Sequence, residues 1–295
     1  MRKIKVVLDW FPNTIHTGFL LAQRRGYFAR HGLEVEMTGQ VHSVMELHEA
    51  DIVMGPEMSM LEQMAHGMEI TAVATVTQRC DSGIVALKSS GIASMKDLEG
   101  KRLSHFEPRW FHGVIGEAMR LSGGDYRKVR LVQLDVGDIV TALDTRVDAT
   151  WVYASWENEV LRDAGREIAY IDLAEIDPLF DFCAPSLAAT RRMIETRPDD
   201  LAAFLEALDS GYADAARDPE SVLSVRDGLP AVSDAVLLRG QRHLAGLLLD
   251  ETGHWGAMKP ARWNRMADWM VQNGYSDKRR STEFTNDFLP GHRSK

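Results

Sequence analysis

Short apolar runs alternate with longer segments of helical character up to about Arg191. These runs predict strands, which fall at 4–9, 33–37, 51–54, 70–77, 84–87, 101–105, 129–134, 149–152 and 167–171, and the run 70–77 is rich in β-branched residues. Helices are predicted between them, the clearest at 14–25 and 111–121, with Asn13 as N-cap and Gly26 as C-cap of the first. Strands that alternate with helices predict a fold of the α/β class.

The same pattern starts again at Ile84 and gives way to helices after Arg191. The late helices are predicted at 198–216, 219–228, 233–249 and 260–273. No low-complexity linker separates the two α/β sets. This organisation predicts two lobes joined by a hinge, with a ligand cleft between the lobes.

Composition and charge narrow the class of protein. The 295 residues carry a formal net charge of -9, which argues against nucleic acid as a partner because a phosphate backbone attracts basic surfaces. Two cysteines, Cys80 and Cys183, are too few for a disulfide framework, and we expect free thiols.

Hydropathy leaves two expectations for localisation. No apolar run approaches the roughly 20 residues of a membrane-spanning helix, and the run 4–8 is too short for the core of a signal peptide. We expect a cytoplasmic protein if Met1 is the native start, and a periplasmic or cell-surface protein if a leader was removed.

The segment 8–19, LDWFPNTIHTGF, gathers aromatic and polar residues where the first strand ends. A packed loop is the simpler explanation of this segment, and a ligand pocket is the alternative. Several motifs, taken together, resemble one family. LDWFPN at 8–13, HTG at 16–18, GYF at 26–28 and GLEV at 32–35 resemble the opening of solute-binding proteins for thiamine pyrimidine precursors and of the related eukaryotic thiamine-pyrimidine synthases.

Further motifs extend the resemblance to about residue 220. KDLEGK at 96–101 is similar to a hinge-proximal signature of type II periplasmic binding proteins, and VDA at 147–149 with WEN at 156–158 is similar to a cleft loop of the family. The resemblance implies a two-lobe type II periplasmic-binding-protein fold. Residues 1–86 and 187–295 would form lobe 1 and residues 87–186 lobe 2, with two crossings and closure by a hinge motion.

The resemblance also implies a function. The protein would bind a small planar nitrogen heterocycle, with a thiamine pyrimidine precursor as the best single choice, as the solute-binding component of an ABC importer. Its partners would be a membrane permease and an ATPase, and we expect no cofactor.

The synthase branch of the family uses chemistry that this chain does not match. Those enzymes use a lysine that carries pyridoxal phosphate, a sacrificial histidine and a cysteine-rich iron motif. No lysine occurs between Lys5 and Lys88, Ser59 stands where the histidine would be, and Cys183 is the one cysteine near the place of the cluster. A Schiff base requires an amine, so the sequence argues against the synthase reaction.

Candidate ligand contacts in the first half of the chain are Trp10, Asn13, His16 and Glu57. Trp10 either packs in its loop or stacks on a planar ligand. Asn13 either caps a helix or hydrogen-bonds to ligand, and His16 is either structural or directed at the cleft. Glu57 either stabilises a helix N-terminus through the macrodipole or accepts hydrogen bonds from an aminopyrimidine.

Further candidates lie in the middle of the chain. The stretch HFEPRWFH at 105–112 joins a strand to a helix, and its spacing matches no metal motif, so an aromatic-lined ligand loop is preferred. Among the later residues Glu157 is the strongest choice, because carboxylates orient amino-heterocycles through charge-assisted hydrogen bonds. The candidates are His105, Phe106, Trp110, Trp151, Trp156, Glu157 and Asp181.

A cytosolic enzyme on the same scaffold, acting on a small heteroaromatic substrate, is the alternative function, and a ligand sensor is a third. An enzyme would use Cys80, His105, Glu107 and His16. A cysteine near histidines could act as a nucleophile, although a buried free thiol is the ordinary role of such a residue.

Overall fold

The computed structural model describes residues 1–39, 50–105, 109–134, 137–280 and 282–292. The strands in these ranges are β1 (Arg2–Leu8), β2 (Leu33–Gly39), β3 (Ile52–Gly55), β4 (Ile70–Thr75), β5 (Ser82–Leu87), β6 (Arg102–His105), β7 (Arg130–Gln133), β8 (Ala149–Tyr153), β9 (Ile168–Asp172) and β10 (Ser186–Thr190). The α-helices are α1 (Thr17–Arg24), α2 (Tyr27–Arg30), α3 (Glu57–Ala65), α4 (Arg109–Leu121), α5 (Ile139–Thr141), α6 (Glu157–Asp163), α7 (Arg191–Thr196), α8 (Pro198–Arg217), α9 (Asp234–Ala245) and α10 (Pro260–Gln272).

Tighter and wider helical turns complete the secondary structure. The 3₁₀ turns are Thr14–His16, Lys88–Ser90, Met95–Leu98, Tyr126–Lys128, Leu173–Glu175, Pro178–Phe180 and Pro219–Gly228, and a π turn at Ala142–Arg146 follows α5. No helix in the described part of the chain combines the length and apolar character needed to cross a membrane.

The chain divides into two compact units. Unit 1 comprises Met1–Arg79, Phe182–Ala231 and Gln241–Lys295, and unit 2 comprises Cys80–Asp181 and Val232–Gly240. The domain limits predicted after residues 86 and 186 fall inside strands β5 and β10, whereas the chain changes unit at 79/80 and at 181/182, in the segments that precede these strands.

Unit 1 is built on a five-stranded mixed sheet with the order β2-β1-β3-β10-β4. Strand β1 runs parallel to β2 and β3, and β10 runs antiparallel to β3 and β4. Ile4, Val6 and Leu8 alternate inward on β1 and join a core that includes residues of α1 and α8. Strand β3 is buried at all four positions, as expected of a central strand covered on both faces.

Unit 2 repeats the plan with the strand order β7-β6-β8-β5-β9. Strand β6 runs parallel to β7 and β8, whereas β5 runs antiparallel to β8 and β9. Val85, Val147, Val152 and Leu161 belong to its apolar core. The prediction of an α/β fold with two strand-and-helix sets is therefore confirmed.

Strand β10 is the element that the sequence pattern missed. Its residues, SLAAT, are small and lack both β-branched enrichment and alternation of polar and apolar positions, and its first four positions are all buried. The sequence of a fully buried strand shows no alternation of polar and apolar residues, so hydrophobic periodicity alone cannot reveal it. The segment 219–228, predicted as one of the late helices, is a 3₁₀ helix.

Two glycines allow the close packing of α1 against α8. A Cβ at position 211 would lie 2.1 Å from the carbonyl oxygen of Gly18, and a Cβ at position 18 would lie 2.3 Å from the ring of Tyr212. Tyr212 in turn donates a hydrogen bond from its hydroxyl to the carbonyl of Ile15 at 2.9 Å. The two helices therefore contact each other through backbone, with no room for a methyl group.

We expect Gly211→Ala to destabilise the protein by about 2–3 kcal/mol, because the obstructing atom is backbone and a whole helix must shift. Urea unfolding followed by tryptophan fluorescence measures the change. The matched control is Gly246→Ala, where a Cβ would meet no atom within 4 Å, and we expect a change within about 0.5 kcal/mol. Equal stability of the two variants would show that α1 and α8 can separate at little cost.

Candidate functional site

Strand direction places several candidate residues of unit 1 at one edge of its sheet. Strands β1, β3 and β4 end there, and β10, which runs the opposite way, begins there. Asp9 and Trp10 follow β1, Glu57 follows β3, Thr77 follows β4, and Cys183 precedes β10. Ligands of open α/β sheets bind at this edge, outside the carboxyl ends of the parallel strands.

His16 is held by hydrogen bonds at both ring nitrogens. Its Nδ1 accepts from the backbone N–H of Asn13 at 3.1 Å, which leaves the proton on Nε2, and Nε2 donates to Asp9 Oδ1 at 3.2 Å. The residue is 1% exposed. His16 therefore orients Asp9, and neither nitrogen is available to act as a general base.

Asn13 acts as the helix cap that the sequence predicted. Its Oδ1 accepts from the backbone N–H of Ile15 at 3.1 Å, and its side chain and that of His16 form a reciprocal capping box. Trp10 is half-buried, with its ring 5.5 Å from that of Phe11. The motif around residues 8–16 is thus a compact loop that presents Asp9 and Trp10 at the sheet edge.

Glu57 begins α3 and is fully buried. Its Oε2 accepts from the backbone N–H of Cys183 at 2.8 Å, and its own N–H donates to the carbonyl of Cys183 at 3.0 Å. Oε1 has no hydrogen-bond partner among the described residues. Burial raises the pKa of the Glu57 carboxyl to about 8, against the opposing effects of the Cys183 hydrogen bond and the nearby Arg262 charge.

Arg262 of α10 fixes the two chain segments that leave unit 1 beside Glu57. It donates to the carbonyl of Thr77 at 2.7 Å and to that of Phe182 at 2.7 Å, and it is 6% exposed. The Thr77 hydroxyl also donates to the carbonyl of Ala184 at 3.1 Å. The segments next to the unit boundaries are therefore held together by a buried guanidinium.

Unit 2 presents a second set of candidates at one edge of its own sheet. Strands β6, β8 and β9 end there and β5 begins there. His105 is the last residue of β6, Tyr153 is the last of β8, and Asp81 comes directly before β5. Strand direction alone thus gathers two of the predicted loops, at 105 and at 153–157, together with Asp81.

Aromatic rings pack together behind this edge. Trp151 lies 6.1 Å from Trp110 in an edge-to-face arrangement and 5.6 Å from Phe111, measured between ring centroids. The rings of His105 and His112 are 5.2 Å apart, and His112 Nδ1 hydrogen-bonds with the hydroxyl of Tyr126 at 2.7 Å. Burial and, to a smaller extent, His105 lower the pKa of His112, which favours its neutral form.

Glu157 begins α6 directly after this aromatic strand. Its Oε2 accepts from the backbone N–H of Tyr153 at 3.1 Å, and Trp156 before it is 5% exposed. Asp81, 1% exposed, accepts from the backbone N–H of Ser155 at 3.1 Å, and its carbonyl accepts from the Tyr170 hydroxyl at 2.6 Å. The loop that carries Glu157 is therefore fixed by hydrogen bonds on two sides.

The residues proposed for an enzyme are differently placed. Cys80 is fully buried and its Sγ lies 3.1 Å from the hydroxyl of Ser82, while its N–H donates to Asp181 Oδ1 at 2.8 Å. Asp181 therefore holds the start of unit 2, and a buried thiol beside a hydroxyl is typical of a structural cysteine. Both cysteines are free, as predicted. Phe106 and Glu107 lie outside the described residues.

Three contributors to these edges escaped the sequence reasoning. The predicted strand 4–9 includes Asp9, although a charged residue directly after an apolar run is a signal for the end of the strand. Asp81 and Arg262 gave no local signal, because their partners are distant in sequence. Within the described ranges, no group of three or more His, Cys, Asp or Glu side chains is arranged to hold a metal ion.

Comparison with known proteins identifies the family. A family described as NMT1/THI5 like matches residues 13–222, well over half of the chain. The chain belongs to the NMT1/THI5-like family. The resemblance inferred from the motifs at 8–13 and 26–35 is thereby confirmed.

Relatives of this NMT1/THI5-like protein include binding proteins and enzymes. The formylaminopyrimidine-binding protein of Halalkalibacterium halodurans is 21% identical over 287 residues, which cover 92% of this chain and 85% of the relative. The 4-amino-5-hydroxymethyl-2-methylpyrimidine phosphate synthase of Schizosaccharomyces pombe is 25% identical over 239 residues, which cover 74% of this chain and 66% of the enzyme.

Solved structures show the fold of this NMT1/THI5-like protein. The alkanesulfonate-binding protein SsuA of Xanthomonas axonopodis pv. citri, bound to MOPS, superposes with a TM-score of 0.74 at 15% identity, covering 97% of this chain and 98% of that one. The fold is that of the periplasmic binding proteins, as the sequence motifs predicted.

The residues present do not fit pyridoxal phosphate, the group expected in the synthase branch. The carboxyl ends of β1 and β3 carry Asp9, Trp10 and Glu57. No lysine occurs between Lys5 and Lys88. A Schiff base requires such an amine at the site.

Proposed function

We propose that this protein binds a small planar nitrogen heterocycle, a thiamine pyrimidine precursor, as the solute-binding component of an ABC importer. The observation that carries the proposal is the position of Glu157 at the edge of unit 2, just beyond the aromatic strand β8, whose Trp151 packs against the buried Trp110 and Phe111 of α4. The formylaminopyrimidine-binding relative, aligned over 92% of this chain, supports the same ligand class.

The chemistry of the edge suits an aminopyrimidine. Aromatic faces bind a flat heteroaromatic ring by stacking, which contributes about 0.5–1.5 kcal/mol beyond the area buried. A carboxylate such as that of Glu157 accepts hydrogen bonds from an exocyclic amino group, and bonds to a charged acceptor are stronger than those between neutral groups. Trp10 and Asp9 at the edge of unit 1 supply the same two kinds of contact.

Two of the candidate catalytic groups are already engaged or buried, which favours a binding protein over an enzyme. His16 has both nitrogens engaged, and Cys80 is buried beside Ser82. In the importer proposal, a membrane permease and an ATPase are the partners, and the protein works in the periplasm or at the cell surface. The units would close on ligand by a hinge motion.

The experiment is a titration of the purified protein with 4-amino-5-hydroxymethyl-2-methylpyrimidine and its formylamino analogue, by calorimetry and by thermal shift. Pyrimidine and riboflavin, one lacking the amino group and one much larger, are the comparison ligands. We expect the aminopyrimidines to bind at micromolar concentration or below, on the order of -8 kcal/mol, and to raise the melting temperature.

Recovery of the ligand separates the two functions. Mass spectrometry after overnight incubation is expected to return the aminopyrimidine unchanged, as a binding protein requires. An altered ligand would establish an enzyme instead. Absence of binding by every aminopyrimidine would overturn the proposed ligand class.

A further inference from the structure

A pocket of unit 1 lies away from the candidate ligand edge. It is enclosed by α2, the last part of α8 and the turn at 250–254, and its volume of about 390 Å³ is within the range of small-molecule pockets. Helix α2 ends just before β2 begins, and β2 runs parallel to β1, so the α2 wall lies at the amino edge of the sheet. Asp9 and Glu57 lie at the carboxyl edge, and the pocket is therefore a separate feature of the same unit.

Two helices each turn one face to the pocket. On α8 the lining residues Ser210, Ala213, Asp214 and Arg217 are spaced by three and four positions, which places them along a single helix face. On α2 the lining residues 27 and 30 are three positions apart and also share a face. The charged side chains of these faces therefore converge on one space.

The third wall is a turn that its own hydrogen bonds fix. Asp250 Oδ1 accepts from the backbone N–H groups of Thr252 at 2.8 Å and of His254 at 3.0 Å, and the N–H of Asp250 donates to the carbonyl of His254 at 2.8 Å. Gly253, at the tip, has a φ of 82°, a conformation that suits glycine. His254 is thus held at the pocket by a well-defined turn.

The carboxylates of the pocket already have donors. Asp214 accepts from the hydroxyl of Tyr27 and lies 2.5 Å from Nη1 of Arg25. Asp209 Oδ1 accepts from a backbone N–H at 2.8 Å, and its Oδ2 lies 3.5 Å from His254 Nδ1. These acidic groups are therefore matched by donors of the protein itself.

Two arginines of the pocket have no carboxylate partner among the described residues. The Arg30 guanidinium lies 4.3 Å from the centroid of the Tyr27 ring, and its Nη2 donates to the carbonyl of Arg25 at 3.3 Å. Arg217 is exposed in the last turn of α8 and makes no hydrogen bond or ion pair within the described ranges. A cation at a helix C-terminus interacts favourably with the macrodipole, but this leaves the N–H donors of its guanidinium without a protein acceptor.

The balance of charges in the pocket suits an anion. Its acidic groups are paired, whereas the guanidinium groups of Arg30 and Arg217 retain free N–H donors, and His31 and His254 also line the pocket. The planar guanidinium donates two parallel hydrogen bonds to a phosphate, which makes arginine the preferred residue for this group. Unpaired arginines in one pocket also contrast with the formal net charge of -9 of the whole chain.

We propose that this pocket of unit 1 is a second binding site, which takes a phosphate dianion, free or as the phosphoryl group of a small polar monoester, with Arg217 and Arg30 as the binding residues. The proposal goes beyond the proposed function, because it concerns a different ligand class at the opposite edge of the sheet.

The test is calorimetric titration of the full chain, without aminopyrimidine, with inorganic phosphate and with glycerol 3-phosphate. Ionic strength is held constant with sodium chloride, because salt screens exposed charges. We expect saturable binding by the wild type and a loss of affinity of about tenfold or more in Arg217→Gln, since hydrogen bonds to a charged group are among the strong ones. Arg217→Lys, which keeps the charge without the planar fork, should fall between the two.

The matched control is Arg146→Gln, which removes an exposed arginine from the last turn of the π turn in unit 2. We expect its affinity to stay within about twofold of the wild type. No saturable binding by the wild type, or equal losses in Arg217→Gln and Arg146→Gln, would overturn the proposal. Tighter binding of glycerol 3-phosphate than of inorganic phosphate would support a monoester as the ligand, and equal affinity would support phosphate itself.

A second measurement locates the site without any variant. Backbone amide signals of the ¹⁵N-labelled wild type are followed by NMR during the phosphate titration, and we expect the largest shifts at Arg217, Gly253 and His254. Shifts concentrated outside α2, α8 and the 250–254 turn would overturn the proposal. Because no aminopyrimidine is present, the outcome is independent of the titration that tests the proposed function.

Discussion

Relative to the Glu57→Gln variant, the wild-type protein is expected to lose stability as the pH rises from about 4.5 to about 8. Burial raises the pKa of the Glu57 carboxyl from 4.5 to about 8. Between these values the unfolded chain is ionised while the folded protein keeps its proton, so the unfolded state binds fewer protons. The contribution of Glu57 to stability is therefore greatest below pH 4.5, falls through this window, and levels off above pH 8.

The expected effect is large. Each unit of pKa difference corresponds to about 1.4 kcal/mol, so the free energy of unfolding falls by on the order of 5 kcal/mol across the window. The glutamine amide oxygen can still accept the 2.8 Å hydrogen bond from the N–H of Cys183, and glutamine does not ionise. The variant should match the wild type near pH 5 and exceed it by several kcal/mol at pH 8.5.

Urea unfolding at intervals from pH 5 to pH 9 measures the difference between the two proteins. Glu206→Gln, which removes an exposed carboxylate on α8, is the control and should follow the wild type throughout. If Glu57→Gln and the wild type instead change in parallel, Glu57 is ionised in the folded protein and is neutralised by Arg262, which faces it from α10.

Glu157→Gln is expected to weaken binding of an aminopyrimidine by about ten- to a hundredfold, the usual range for losing the charge of a hydrogen-bond acceptor. The substitution retains an oxygen that can accept from the N–H of Tyr153, so the start of α6 should keep its position. Calorimetric titration measures the dissociation constant, and the melting temperature without ligand should be unchanged.

The control for this variant is Glu167→Gln. Glu167 precedes β9, at the opposite edge of the same sheet, and its side chain is 82% exposed. A ligand without the amino group provides the second comparison. The wild type should bind that ligand as weakly as Glu157→Gln binds the aminopyrimidine, and the variant should lose nothing further. Equal losses by the variant with both ligands would show that Glu157 does not contact the amino group.

The strands and most helices could be predicted because their signals are local. β1 and β4 contain short apolar runs, and helices such as α4 and α8 carry amphipathic patterns. Asn13 is a recognisable cap of the 3₁₀ turn that leads into α1. β10 could not be predicted, since a small, fully buried strand has neither alternation nor β-branched enrichment.

The candidate site likewise has features that local sequence signals reveal and features that they do not. The positions of Trp10, Glu57 and Glu157 could be predicted, because each follows a strand or starts a helix and a sequence pattern reveals such positions. Their contact with ligand remains a prediction. The hydrogen bonding of His16 and the protonation state of Glu57 could not be predicted from the sequence. Whether His16 is a base or a support depends on Asp9 and on the N–H of Asn13, and whether Glu57 is charged depends on its complete burial.

The sequence by itself determined the α/β class, the two strand-and-helix sets, the family and the loops in which ligand contacts were sought. Periodicity, capping and motif spacing are properties of neighbouring residues, so they can be recognised in the sequence without knowledge of the fold. Only the tertiary structure decided the pairing of Glu57 with Cys183 and the anchoring of Thr77 and Phe182 by Arg262. These contacts join residues 80 or more positions apart, and no local pattern records them.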